Sequence, residues 1–507
     1  MKHSTKILLN TLASYARIIV SAFVTLVSTR LALKYLGVSD FGLYNLIAGV
    51  IAMLSFFNGS LMISSQRYFS ISLGAGDNVR LNRYFNASLG IHIVMGVILG
   101  VFLLLMLPFL FNGFLNIPVE KKNVAIYVYN IMMVSSVVTI ATIPFSAIMN
   151  AKEDMVPLSF IDIIHCLGKL IAAFTLMFVH SQLLLTYSVV LLGSVIVKMF
   201  LEILWVKRNY TVININKSFF FDKDLCKSMM GFVGWNTLGS VAIIARNQGI
   251  AVTLNFFFGT VINAAYGIAN QVNSMVLSFA STLTTVFTPM IIQAKGAGDE
   301  KKMITVAVLS SKLSFMLSSL IALPILLFLQ DILLIWLKEI PNSTFEFCVF
   351  MILSFLIQQL YPGINRVIYA CGQIRGYQIV ISILLLLTIP AGCFLFSCGY
   401  EPYFIMIGVL IAQILTFLAT VLFAHKICGL SVIHFVYRNT LYPIAIFCIV
   451  YYCCRVAVIA NSAEHPDILF IVGSSMAACS LYVAAYYVAV IEKDEKKIIL
   501  QSLWKRF

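Results

Sequence analysis

Charge is scarce in this chain. Asp, Glu, Lys and Arg make up 11% of its 507 residues, while hydrophobic residues make up 61%. A water-soluble domain is about half apolar and about a quarter charged, so this scarcity excludes a soluble globular protein. Metal-ligand spacing and nucleophile–base constellations are absent as well. The 11 cysteines suggest a disulfide scaffold, yet most lie inside apolar runs (Cys166, Cys393, Cys448, Cys453, Cys454, Cys479). They read as small core hydrophobes. The first residues, MKHSTKILLN, lead into an apolar stretch that is too long for a cleavable signal, carries Arg17 and lacks a small-residue cleavage site. This stretch is therefore read as a permanent first span.

What is present is a succession of apolar runs, each long enough to cross a ~30 Å hydrocarbon core as a helix. The sequence predicts an all-α polytopic membrane protein with about 14 spans. The first six run at 10–36, 41–63, 85–110, 124–149, 158–180 and 183–206. The next six run at 229–257, 260–290, 305–329, 346–370, 377–398 and 402–426, and a last pair at 440–460 and 467–491. With the N-terminus inside, 22 of the 34 Lys and Arg fall in cytoplasmic segments and only 4 in outer ones. By the positive-inside rule both termini are cytoplasmic, in a multi-pass protein. Most of the net charge of +14 is this bias, so it is no nucleic-acid signature. The longest outer segment, about 330–345, is too short to form a domain.

A tetrad occurs twice, as Gly74-Ala75-Gly76-Asp77 and as Gly296-Ala297-Gly298-Asp299, with a spacing of 222 (299 − 77). Sliding the chain by 222 also places Gly37 on Gly259 and Tyr44 on Tyr266, giving 10 identities in the 41 ungapped positions from 37 to 77. NTL at Asn10 recurs at Asn236, as if helix 7 had lost about one turn. The chain therefore reads as a six-helix N-lobe (1–206), a cytoplasmic linker (207–228), a six-helix C-lobe (229–426) and an appendage of helices 13–14 with a basic tail (427–507). Both lobes would share one topology about an axis along the membrane normal, with a central cavity. The tetrads are not phosphate loops, which need Lys-Ser/Thr after the glycines and a strand before them. They suit helix-to-helix turns, with glycine in a left-handed conformation and Asp capping the next helix; a hinge role is the other reading.

Ionisable residues in mid-membrane are expensive and point to function. Arg17 lies about 10 Å inside helix 1 at 1.5 Å per residue. Asp162, His165 and Lys169 share one stripe of helix 5, and Lys198 and Glu202 are an i, i+4 pair on helix 6. Arg246 and Lys312 fall in helices 7 and 9. Arg30, Arg366 and Arg455 are close enough to span ends to snorkel. Arg17, Lys169, Lys198, Arg246 and Lys312 are the candidates for a cationic, anion-attracting cavity. Lys198 with Glu202 also fits a neutralised structural pair. Asp162 and His165 are the candidates for ion coupling; the competing reading is that Asp162 neutralises Lys169 or Arg17. Amides are dense in helices 7, 8 and 10, which suits either helix–helix contacts or a hydroxyl-rich cargo.

The stretch NTLASYARIIVSAFVTLVSTRLALKYLGVSDFGLYNLIAGV, followed by SSQRYFSISLGAGD, resembles the start of bacterial O-antigen and capsule oligosaccharide flippases (Wzx-type polysaccharide biosynthesis proteins). These belong to the multidrug/oligosaccharidyl-lipid/polysaccharide exporter superfamily. The resemblance covers roughly residues 1–430. It implies a MATE-like fold in the bacterial inner membrane and alternating access. It further implies transfer of an undecaprenyl-pyrophosphate-linked oligosaccharide from the cytoplasmic to the periplasmic leaflet. The implied partners are that lipid, the surrounding membrane lipids, and the polysaccharide polymerase and ligase; neither nucleic acid nor a cofactor is implied, and H+ or Na+ is the candidate coupling ion. Two alternatives stand beside this: a cation-coupled multidrug exporter of the same fold, and a membrane-embedded polysaccharide polymerase or ligase.

Overall fold

The computed structural model describes residues 3–52, 56–114, 117, 119–179, 181–337, 340–461 and 468–490. Among them the regular secondary structure is all helical, with no strand. The first helices are α1 (His3–Ala52), α2 (Phe56–Gly74), α3 (Asn78–Phe109), α4 (Lys122–Ala151), α5 (Met155–Thr175) and α6 (Leu183–Asn209). They are followed by α7 (Lys223–Gly296), α8 (Glu300–Leu327), α9 (Leu329–Leu337), α10 (Thr344–Gln358), α11 (Pro362–Cys371), α12 (Arg375–Leu386), α13 (Thr388–Ser397) and α14 (Phe404–Cys428). The last are α15 (Val432–Val436), α16 (Tyr442–Asn461) and α17 (Ile468–Ala489). The chain divides into two compact units, Leu8–Thr237, and Leu238–Phe507 with Met1–Ile7.

Among the described residues eleven helices are long and apolar enough to cross a membrane, or up to 13 if each of two bent pairs counts as one span. The expected span at 41–63 differs most. Its place is taken by a short apolar helix at Asp40–Ile51 and by α2, which ends at Gly74; residues 53–55 lie outside the described residues. The reason is physical. Hydropathy reports lipid exposure, whereas α2 carries Ser60, Ser64, Ser65, Ser70 and Ser72 buried at 0–1% exposure and packs on α3 and α4. A helix enclosed by protein need not be greasy.

The sequence repeat has a backbone counterpart. α1 and α7 each contain one break, at Gly37 (φ 76°, ψ 166°) and at Gly259 (φ 80°, ψ −169°), positions 222 apart. A Cβ is strongly disfavoured in this region of the map, so both positions strongly favour glycine. After α2 and α7 the turns also match. Asp77 and Asp299 donate their backbone N–H to Ser72 and Ala294, each at 3.0 Å. Their carboxylates then accept from the N–H of Arg80 (2.8 Å) and Lys302 (2.9 Å), capping α3 and α8. Gly76 (φ 67°) and Gly298 (φ 76°) supply the left-handed residue. Helix starts keep step as well: Asn78 and Glu300 are 222 apart, as are Lys122 and Thr344.

Within the first unit the segment after α6 is fastened down. Asn86, fully buried, donates to the Asn214 carbonyl (2.8 Å) and accepts from the Asn216 N–H (2.8 Å). Arg83 pairs with Asp222 at 2.7 Å. A Cβ on Gly90 would collide with the Phe220 backbone, so α3 and this segment touch directly. In the second unit the amide N–H of Gly363 bonds Ser311 Oγ at 3.1 Å. A side chain at Gly363 would strike the Ala307 carbonyl, which fixes α11 tightly on α8.

Candidate functional site

In the first unit α1, α5 and α6 bring four ionisable groups together. Arg17, with no acidic neighbour on its own helix, donates from Nη1 to Asp162 Oδ2 at 2.5 Å. Lys198 Nζ donates to the other oxygen of Asp162 at 2.7 Å and lies 3.7 Å from Glu202 Oε1. Ser146 of α4 donates to that same Glu202 oxygen at 2.8 Å. The Glu202 side chain is fully enclosed, and its Oε2 has no hydrogen-bond partner among the described residues. Two cations and two carboxylates balance in formal charge, the stoichiometry that lets charges be buried. His165 faces α6 instead, with Nδ1 3.3 Å from Ser194 Oγ. Lys169 is exposed and makes no ion pair with a described residue.

The second unit treats its cation differently. Arg246 on α7 donates from Nε (3.2 Å) and Nη2 (2.9 Å) to Asn247 Oδ1, and Tyr266 donates to the Asn247 carbonyl at 3.3 Å. These residues wall a cavity of about 70 Å³ with Asn270, Asn273, Ser354, Gln358 and Gln413. No carboxylate lines it. Asn273 Oδ1 and Ser354 Oγ are buried without a hydrogen-bond partner among the described residues, which is costly unless something arrives to bond them. The guanidinium has five N–H donors, and the bonds to Asn247 occupy two. The arrangement suits an anion carrying several hydrogen-bonding oxygens.

Lys312 is placed elsewhere. It is buried at 2% exposure, its carbonyl accepts from Tyr486 of α17 at 2.9 Å, and it lines neither cavity described here. Arg455 donates to the Leu327 carbonyl at 2.8 Å, satisfying the end of α8. Most amides of the Arg246 cavity belong to the dense set of predicted helices 7, 8 and 10 that is visible along the chain. Ser354 carries no such signal: a lone serine in an apolar run does not stand out as a site group.

A second cavity, of about 250 Å³, lies in the first unit and is lined by Tyr44, Ala48, Ile51, Met132, Ser136 and Leu192 among others. These residues are the repeat equivalents of the Arg246 cavity. A shift of 222 takes Tyr44 to Tyr266, Ala48 to Asn270, Ile51 to Asn273, Met132 to Ser354 and Ser136 to Gln358; a shift of 221 takes Leu192 to Gln413. The chain thus contains one cavity built twice, with different linings.

Residues 247–394 match the MatE family. Over 99% of its length the chain is 20% identical to the uncharacterized membrane protein EpsK of Bacillus subtilis (strain 168), 98% of which is covered. Its fold is similar to that of a multidrug resistance MATE family transporter of the MOP superfamily in an outward-facing conformation. There the TM-score is 0.70 at 15% identity, covering 84% of this chain and 95% of that one. A MOP superfamily transporter from Pyrococcus furiosus, whose reversed binding-pocket polarity suggests a different function, is similar at a TM-score of 0.71 and 14% identity, covering 84% and 95%. The chain therefore has the MATE transporter fold.

Proposed function

We propose that this protein is a transporter that flips an undecaprenyl-pyrophosphate-linked oligosaccharide from the cytoplasmic to the periplasmic leaflet, for surface polysaccharide assembly. The observation that carries the reading is the Arg246 cavity: one guanidinium, four side-chain amides beyond Asn247 and one bare hydroxyl, with no carboxylate. A pyrophosphate meets the guanidinium through charge-assisted bonds, and sugar hydroxyls match the amides. Within the first unit, Lys169 is a further candidate cation that no described carboxylate neutralises, while Arg17 and Lys198 become candidates only once Asp162 releases them. Movement is by alternating access of two six-helix lobes, residues 1–206 and 229–426, joined by the linker 207–228, with both termini cytoplasmic.

The test is binding and flipping of the lipid-linked glycan by the full chain reconstituted in vesicles. Losing a charged hydrogen bond costs about 1.5–3 kcal/mol, so Arg246→Ala should weaken binding about 10- to 100-fold. Arg246→Lys should retain the charge and part of the affinity. An Arg246→Ala protein that flips at the wild-type rate would overturn the assignment.

A second reading, a cation-coupled multidrug exporter, is favoured by one observation: Asp162 of α5 and Glu202 of α6 in the first unit flank the same Lys198. A deletion strain separates the two. Lipid-linked glycan accumulating on the cytoplasmic leaflet supports the flippase; unchanged glycan with raised sensitivity to cationic drugs supports the exporter. Under either reading Asp162 and His165 are proposed to couple H+ or Na+ to the cycle, and transport indifferent to collapsing both gradients removes them.

A further inference from the structure

Two cysteines far apart in sequence meet in the second unit. Cys371 Sγ and Cys428 Sγ lie 3.1 Å apart, and both side chains are partly exposed. Each is the last residue of its helix, α11 and α14, and each is followed by a glycine in the left-handed conformation, Gly372 (φ 79°) and Gly429 (φ 68°). Those glycines end both helices at the same place and hold the thiols against each other. Bonded sulfurs sit about 2.0 Å apart, so about 1 Å of closure completes a bond. Lys295, the cation nearest both thiols, is itself paired with Glu300 at 2.7 Å.

We propose that Cys371 and Cys428 form a reversible disulfide, a redox site that staples α11 to α14. In the reaction the thiolate of one cysteine attacks a peroxide oxygen, forming a sulfenic acid and releasing hydroxide. The second thiolate attacks that sulfur and displaces the remaining oxygen, which leaves as water after protonation. Two thiols and one hydrogen peroxide thus give one disulfide and two waters; a dithiol reverses the step by exchange. By the positive-inside reading both cysteines face the cytoplasm, where thiols are kept reduced and such bonds are transient and sensory.

The staple has a mechanical target. α10 and α11 meet at a 49° bend, and the Arg246 cavity takes Met351, Ser354 and Gln358 from α10 and Gln413 from α14. Tying α11 to α14 therefore immobilises the joint between two walls of that cavity. The staple itself does not depend on which substrate the protein carries.

The test uses the full chain in lipid nanodiscs, treated with hydrogen peroxide and then with dithiothreitol. Maleimide labelling and peptide mass spectrometry should show Cys371 and Cys428 protected together, joined in one cross-linked peptide, and released together by the reductant. Amide hydrogen exchange across 355–371 should slow about tenfold or more on oxidation and recover on reduction. Cys371→Ser and Cys428→Ser should each abolish that response. Independent alkylation of the two cysteines after peroxide overturns the site. A disulfide that leaves exchange at the joint unchanged overturns its mechanical role. Because neither readout involves transport, failure here is distinguishable from failure of the flippase assignment.

Discussion

The two repeat-equivalent cavities share a scaffold and differ in what they offer a ligand. Where the first unit has Ala48, Ile51, Met132 and Leu192, the second has Asn270, Asn273, Ser354 and Gln413. Only the tyrosine, Tyr44 or Tyr266, is kept among these pairs. The cations follow the same division. Arg17 and Lys198 are balanced by Asp162 and Glu202, whereas Arg246 bonds a neutral amide. The backbone devices did not diverge: Gly37 and Gly259 occupy conformations that strongly favour glycine, and Asp77 and Asp299 make the same cap. Duplication preserves what backbone geometry compels and leaves cavity linings free to change.

The largest expected effect breaks the charge comparison. Asp162→Asn leaves Arg17 and Lys198 without their shared carboxylate. It should destabilise by about 3 kcal/mol, the low end for a buried pair, because Arg17 keeps 34% of its side chain exposed. Arg246→Ala should leave stability nearly unchanged, so equal shifts in thermal unfolding would erase the distinction. Next comes a lining exchange. Asn270→Ala with Asn273→Ile gives the second cavity the first's residues; at about 1 kcal/mol per bond lost it should weaken pyrophosphate–glycan binding about 30-fold. The reverse pair, Ala48→Asn with Ile51→Asn, should leave that binding unchanged. Gly37→Ala and Gly259→Ala should each cost about 1–2 kcal/mol. Their equality, read by denaturation, checks that the two breaks are one device.

The smallest effect is at the fastened segment. The Arg83 guanidinium beside Asp222 holds that carboxyl below its ordinary range. A depressed folded value means that the Arg83–Asp222 contribution is fully present above about pH 4, the unfolded value. It is lost as pH falls through the lower folded value. Asp222→Asn should therefore flatten the acid limb of the stability profile, lowering stability slightly at neutral pH and leaving it unchanged at the acid end.

Much of this molecule was legible along the chain. Apolar runs fix helices wherever lipid is the solvent, and α2 escaped that reading because protein encloses it. The amides around Arg246 were visible as a dense set, but their convergence with Ser354 depends on α7, α10 and α14 meeting. Likewise Arg17 and Asp162 are 145 residues apart, and no local spacing pairs them. Along the chain Cys371 and Cys428 read as small core hydrophobes, since nothing between these positions signals that two helix ends converge.

By itself, then, the sequence determined the helical membrane class, the repeat and the two glycine–aspartate turns, because hydropathy, identity at fixed offset and local backbone preference are one-dimensional quantities. Only the tertiary structure decided which cations are neutralised, which cavity is polar and which thiols touch. Those outcomes depend on distances of a few ångströms between helices, and electrostatic and hydrogen-bond energies fall off over that same scale.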